Sequence, residues 1–280
     1  MAITGTGTQA DPYVVTTYAE LVDKAAESEV HVKIGNNINI TDEYPNGDMP
    51  TLELAKSIID GDGKVISNWY KIDSGYCIST TISNDYDSYI YDLTIRNVII
   101  SDSVTAFCGR GEDNNQRPFF VGCNISGTFK KRFTDDNSAT IRFKDCSFNC
   151  DMANNRAFGF NGGYFNNCYV KMKSTLADSS FYEGFYLDTV GKDSYFELEL
   201  PNVTTSLVGY NKGFENCVLD ITSNSSFRVG GGSAAVSILN STHAPNATVD
   251  GTNTKTVDDT HWLDVSYLQG IGFNIVGGSA

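Results

Sequence analysis

An internal repeat limits what this chain can fold into more than any other feature. Six segments align: Ile95-Arg-Asn-Val-Ile-Ile100, Phe120-Val-Gly-Cys-Asn-Ile125, Phe143-Lys-Asp-Cys-Ser-Phe148, Phe165-Asn-Asn-Cys-Tyr-Val170, Phe214-Glu-Asn-Cys-Val-Leu219 and Ile238-Leu-Asn-Ser-Thr-His243. A weaker copy runs Gly191-Lys-Asp-Ser-Tyr-Phe196. The third position is Asn97, Gly122, Asp145, Asn167, Asp193, Asn216 and Asn240, in steps of 25, 23, 22, 26, 23 and 24 residues. Asn, Asp and Gly tolerate the left-handed backbone region. A column restricted to these three types predicts the same sharp bend in every copy.

Around the bend the pattern reads apolar, variable, bend, small, variable, apolar. That is two short strands whose alternate side chains point inward. The small position is Val98, Cys123, Cys146, Cys168, Ser194, Cys217 and Ser241, so four of the seven Cys share one inward column. A coil of about 24 residues with a strand–bend–strand corner is one rung of a parallel β-helix. Rungs stack at about 4.8 Å, with Phe, Ile and Cys in interior ladders. An antiparallel sandwich would not keep one register of bend and core residues over seven copies. Composition agrees: 26 Gly, 6 Pro, 16 Phe and 15 Tyr in 280 residues fit many short strands and tight turns.

The ends depart from the repeat, and three regions are expected: an N-terminal arm with a short capping helix over 1–28, the β-helix over 29–245, and a cap or docking segment over 246–280. Thr17 and Glu20 have capping-box spacing, and Leu21, Val22, Ala25 and Ala26 give an apolar face behind them. Val30–Ile34 and Ile38–Ile40 alternate as strands, and Gly61 and Gly63 bend the segment Ile58–Ile66. Near the C-terminus, His261–Val276 turns apolar again. Trp262, Leu268 and Phe273 are its candidates for partner docking.

The net charge of −14 argues against a nucleic-acid partner. No stretch approaches the roughly 20 apolar residues of a membrane span. The start Met1-Ala-Ile-Thr-Gly-Thr-Gly-Thr8 has neither a basic nor an apolar signal region, so folding in a cytoplasm with free thiols is expected.

No catalytic set is legible. Asp135-Asp136 and Asp258-Asp259 read as turn pairs. A glycosidase-like carboxylate pair across rungs from Glu112, Asp113, Asp135 or Glu183 stays open at this level. Asp85, Asp87 and Asp92, interleaved with Tyr86, Tyr89 and Tyr91, read as a loop leading into a strand over Leu93–Ile100. His31, His243 and His261 form no metal set with sequence neighbours, so no metal or cofactor is expected. Phe158, Phe160, Tyr164, Phe181, Tyr182, Phe185 and Tyr186 crowd one region, either as rung core or as a surface for sugars or partner proteins.

Residues 3–40, with Gly5-Thr-Gly-Thr8, Pro12-Tyr-Val-Val15 and Ala19-Glu-Leu21, resemble the start of pectate-lyase-like right-handed β-helix proteins. Ile59-Asp-Gly-Asp-Gly-Lys-Val-Ile66 is similar to an early rung of that superfamily. The style of the chain over residues 3–245 also resembles β-helical virion proteins of tailed bacteriophages, including capsid decorations and head fibres. The resemblance implies right-handedness. It also implies a non-enzymatic structural virion protein, made in the host cytoplasm, with the major capsid protein as partner and a homotrimer as its assembly. The motifs of polygalacturonase-like hydrolases (Asn-Thr-Asp, Gly-His-Gly, Arg-Ile-Lys) are absent. Two alternatives remain at this level: a spike that binds or cleaves a host surface glycan, and a bacterial surface adhesin.

Overall fold

The computed structural model of the chain describes residues 3–80, 87–101, 103–109, 117–130, 132–135, 141–152, 160–174, 185–199, 214–215, 217–222, 227–229, 238–239, 242–243, 247–249 and 255–256. It is an all-β parallel solenoid, with a single α-helix among the described residues. Three strand positions recur along the solenoid, the third of them in four successive turns among the described residues. The first face runs from Tyr13–Val15 through His31–Ile34, Ile58–Asp60, Asp87–Tyr91, Arg117–Val121 and Arg142–Lys144. The second runs from Ile38–Asn39 through Val65–Ser67, Thr94–Ile100, Asn124–Phe129, Ser147–Met152, Tyr169–Ser174, Tyr195–Glu199 and Val218–Thr222. The third comprises Leu52–Leu54, Tyr76–Thr80, Ala106–Gly109 and Arg132–Asp135. The long strand Phe160–Asn166 joins the first and third faces into one sheet: its start pairs with Thr134 and Asp135, its end with Arg142–Lys144.

The strand register corrects the first copy of the repeat. Ile90 lies beside Phe120, and Ile95 beside Ile125. The copy in register is therefore Ile90-Tyr-Asp-Leu-Thr-Ile95, five residues earlier than the sequence alignment placed it. Asp92 (φ 46°) stands in the bend column with Gly122 (65°), Asp145 (54°), Asn167 (52°) and Asp193 (50°). Leu93, not Val98, takes the inward position before Cys123. Asn97 (φ 55°) belongs to a second bend column above Asn68 (57°). There Asn97 Nδ2 donates to Asn68 Oδ1 at 3.2 Å, and Asn68 Nδ2 to Asn39 Oδ1 at 2.8 Å, each 29 residues back. Asp92 and Asn97 both tolerate the left-handed region and both sit in alternating apolar segments, so the local pattern fits either. Asn216, Asn240 and Ser241 lie outside the described residues.

A second correction concerns Asp87–Tyr91, which is a strand of the first face rather than a loop. Its alternation of half-buried and buried positions around Ile90 is a strand pattern that the flanking acids and tyrosines obscure.

The interior is an aromatic and aliphatic column. Phe120, Phe143 and Phe165 stack rung on rung at 5.1 and 5.0 Å with nearly parallel rings. Phe148 meets Phe143 edge-on at 5.0 Å and 90°. Phe133 meets Phe148 at 5.3 Å. Toward the N-terminus the column continues through Phe107 and Trp69 to Tyr18. In-register rungs repeat one side-chain type at one height, which is why rings stack here as a ladder.

The helix Tyr18–Ala25 carries the capping box read from the sequence: Thr17 accepts from the Glu20 amide, and the Glu20 carboxylate reaches back to Thr17. A second carboxylate at this helix start was not legible. Glu43 accepts from the backbone amides of Tyr18 (2.6 Å) and Ala19 (2.9 Å), filling two donors that a helix start leaves open. The buried face is Tyr18, Leu21 and Ala25, while Ala26 is exposed. Beyond residue 245, Ala247–Val249 pairs with Phe227–Val229 and Lys255–Thr256 with Thr242–His243. Trp262, Leu268 and Phe273 lie outside the described residues.

Candidate functional site

Alternation along the first face sends Ile59, Ile90, Phe120, Phe143 and Phe165 inward. The residues between them, Ile58, Tyr89, Phe119, Arg142 and Tyr164, are half-buried on the outside and in register across rungs. This makes an outward aromatic strip. Tyr89 and Tyr91 stack at 5.6 Å with rings 6° from parallel, and Phe119 lies 5.4 Å from Tyr89. The Tyr89 hydroxyl donates to Asp87 Oδ2 at 3.2 Å. Desolvation pushes both phenols above their usual range, with the Asp87 charge adding to the effect on Tyr89.

Tyr91 also forms one wall of a surface cavity of about 450 Å³, lined with Gln9, Pro12, His31, Ile58, Asp60 and Asp92. The N-terminal arm contributes Gln9 and Pro12, and three successive rungs supply the rest. Asp60 Oδ1 accepts from the Asp62 amide at 2.9 Å, and Asp62 in turn pairs with Lys33 at 3.1 Å and Lys64 at 3.3 Å. Asp60, one of the polar lining residues, is thereby tied to the ion pairs of Asp62.

Of the acids that the sequence singled out, Asp87 and Asp92 have described side chains. Asp87 holds Tyr89, and Asp92 turns a bend. Asp85, Glu112, Asp113, Asp136, Glu183, Asp258 and Asp259 lie outside the described residues, as do Phe158, Phe181, Tyr182 and His261. The side chains of Asp135, Phe160, Phe185, Tyr186 and His243 are likewise outside them. His31 lines the cavity, and Tyr164 joins the outward column. Among the described residues, no group of three or more His, Cys, Asp and Glu is placed to hold a metal ion. No helix among them is long and apolar enough to cross a membrane. The strip was missed because Tyr89, Tyr91 and Phe119 look like ordinary rung residues until the register is known.

The cysteines form the other chemically distinctive group. All seven are free and buried. In the inward column, Cys123, Cys146 and Cys168 donate weakly to the carbonyls of Ile90 (3.4 Å), Phe120 (3.4 Å) and Phe143 (3.5 Å) on the preceding rung. Ser194 takes the same place, donating to Lys192 O at 2.7 Å and accepting from the Cys168 amide at 3.1 Å. From Cys123 to Ser194 the column holds a small side chain with a donor that reaches a nearby strand carbonyl, which Cys and Ser both supply. Burial pushes the Cys77, Cys146 and Cys150 thiols well up. At Cys123 the hydrogen bond with Cys146 does so first, with burial added. Thiolate is the reactive form. A thiol reagent is expected to leave all seven unlabelled on the timescale that labels free cysteine, and to label all seven in concentrated urea. Fast native labelling of any column cysteine would contradict its burial.

No protein-family model matches the sequence, and no curated protein matches it. Among solved structures, the chain is similar to a Bacteroides ovatus protein described as a "putative immunoglobulin A1 protease". The TM-score is 0.46 and the identity 16%, over 91% of this chain and 81% of the other.

Proposed function

We propose that this chain is a non-enzymatic structural protein of a tailed-bacteriophage particle, mounted on its surface as a capsid decoration or head fibre. One observation carries the reading: the repeat uses its chemically capable side chains to hold rungs together. Cys123, Cys146 and Cys168 donate to strand carbonyls of the preceding rung, and the side-chain amides of the bend residues Asn68, Asn97 and Asn167 bond to the rung below. A solenoid stacked this way is a stiff rod, stabilised rung by rung. Its net charge of −14 suits an exposed, soluble surface part. The partners of this reading are the major capsid protein and two further copies of the chain, with Trp262, Leu268 and Phe273 as the docking residues.

Quantitative peptide mass spectrometry of purified particles, referenced to the major capsid protein, tests it. Hundreds of copies per particle are expected of a decoration, and a handful of a fibre. Absence from particles overturns the proposal. Light scattering on the purified chain tests the assembly, where a monomeric mass at high concentration rejects the trimer.

A further inference from the structure

We infer that the cavity between the N-terminal arm and the first face binds an organic ammonium group, with the Tyr91 ring as the plane it packs on and Asp60 and Asp92 as its counter-charges. The inference goes beyond a structural role and does not depend on where the protein is mounted. The first observation is the lining. The cavity of about 450 Å³ sets Pro12, Ile58 and Tyr91 beside Gln9, Asp60 and Asp92. Stacking on Tyr89 at 5.6 Å orders the Tyr91 ring before a ligand arrives, so little freedom is lost on binding. A ring face attracts a cation through its quadrupole, and the alkyl chain of that cation covers the apolar wall. The chain makes one such contact with itself, where Lys24 Nζ lies over the Tyr13 ring at 5.0 Å from its centre.

The second observation is the charge balance. Asp60 accepts from the Asp62 amide, which leaves its charge uncompensated. Asp92 turns a bend at φ 46° with its carboxylate over Gly122, where an added Cβ would meet Oδ1 at 2.5 Å. The neighbouring cations, Lys33 and Lys64, both reach Asp62 instead, at 3.1 and 3.3 Å. Three carboxylates thus stand against two ammonium groups, and a negative charge is left at the cavity. Arg142, the cation of the outward strip, does not offset it. It stands in register with Phe119, three rungs beyond Ile58 and so about 14 Å along the face, and lines no part of the cavity. Anionic ligands are repelled. A metal ion fits less well, because Asp60, Asp92 and His31 are not placed to share one, and calcium takes about 6–8 oxygens.

The test is titration calorimetry on the full chain at physiological salt, where attraction to the overall charge is screened beyond about 8 Å. Putrescine is the free-amine probe, Nα-acetyl-lysine methylamide the probe for a lysine side chain of a partner protein, and butanediol the uncharged counterpart of putrescine. Binding of at least one amine is expected, and the tighter of the two names the source; the diol should not bind. Asp60→Asn and Asp92→Asn should each weaken binding about tenfold, the loss of a charged hydrogen-bond partner. Both are isosteric, and Asn holds the same bend conformation at Asn97 and Asn167 (φ 55° and 52°). Tyr91→Leu, which keeps apolar bulk and removes the ring, should weaken it about threefold. The two Asn variants keep the test readable should Tyr91→Leu melt early. Arg142→Gln and Asp151→Asn, the latter an exposed acid of the second face, should leave affinity unchanged. Failure of both amines to bind overturns the inference. So does equal affinity for the diol, displacement by equimolar calcium, full affinity in either Asn variant of the cavity, or an equal loss in Asp151→Asn. Each of these outcomes leaves the particle count untouched, so the two proposals fail separately.

Discussion

Phe143→Ala is expected to destabilise the middle of the solenoid by about 3–5 kcal/mol, the range for truncating a fully buried Phe. Phe143 is 0% exposed and touches four other rings: Phe120 and Phe165 in its own ladder at 5.1 and 5.0 Å, Phe148 edge-on at 5.0 Å, and Phe133 at 6.0 Å. Three rungs meet on this side chain, and a stacked backbone cannot close around the hole without breaking register above or below. Because stability in a solenoid is held between neighbours, the loss should appear locally. Hydrogen exchange should show faster opening of Arg117–Val121, Arg142–Lys144 and Phe160–Asn166, with Tyr13–Val15 and His31–Ile34 little changed. A uniform loss of protection over all rungs would mean that the chain opens as one cooperative unit.

Gly127→Ala is expected to cost on the order of 3 kcal/mol, large for the addition of one methyl group. A Cβ at Gly127 would lie 2.2 Å from the Val98 carbonyl oxygen, 2.5 Å from its nitrogen and 2.7 Å from its Cα. All three are backbone atoms of the adjacent strand, so no side chain can swing aside. The clash falls where the pairing of Thr94–Ile100 with Asn124–Phe129 shifts register between Ile95 and Val98. Gly127 is the residue that lets the irregular strand sit close. Gly63→Ala is the comparison: Gly63 has φ 67° with nothing within 4 Å of an added Cβ, so its cost is backbone strain alone, about 1–2 kcal/mol. Urea denaturation of the two variants separates crowding from strain. Equal midpoints would show that the strands part freely at Val98.

Much of the architecture can be read from residue types. The bend column is legible because few residues accept a positive φ, and Gly122, Asp145, Asn167 and Asp193 all adopt one. The inward Cys and Ser column is legible because a small side chain follows each of these four bends, and Cys123, Cys146, Cys168 and Ser194 are all buried. The capping box at Thr17 and Glu20 is legible because its bonds span three residues. Each of these depends on local backbone geometry, which the nearest few residues impose.

Tertiary structure decided the rest, wherever a local pattern admits two answers or the partner is remote. Asp92 and Asn97 meet the same local requirement, and only pairing with Gly122 on the next rung assigns the first bend. Glu43 reaches the helix start from 25 residues away in sequence. The cavity gathers Gln9, His31, Asp60 and Tyr91 from the arm and three rungs, and the outward strip exists because register sets Tyr89 beside Phe119. Residue types determined that this chain coils and where it can turn. The stacking of one coil on the next, through hydrogen bonds between residues 22 or more positions apart, determined which side chains meet on its surface.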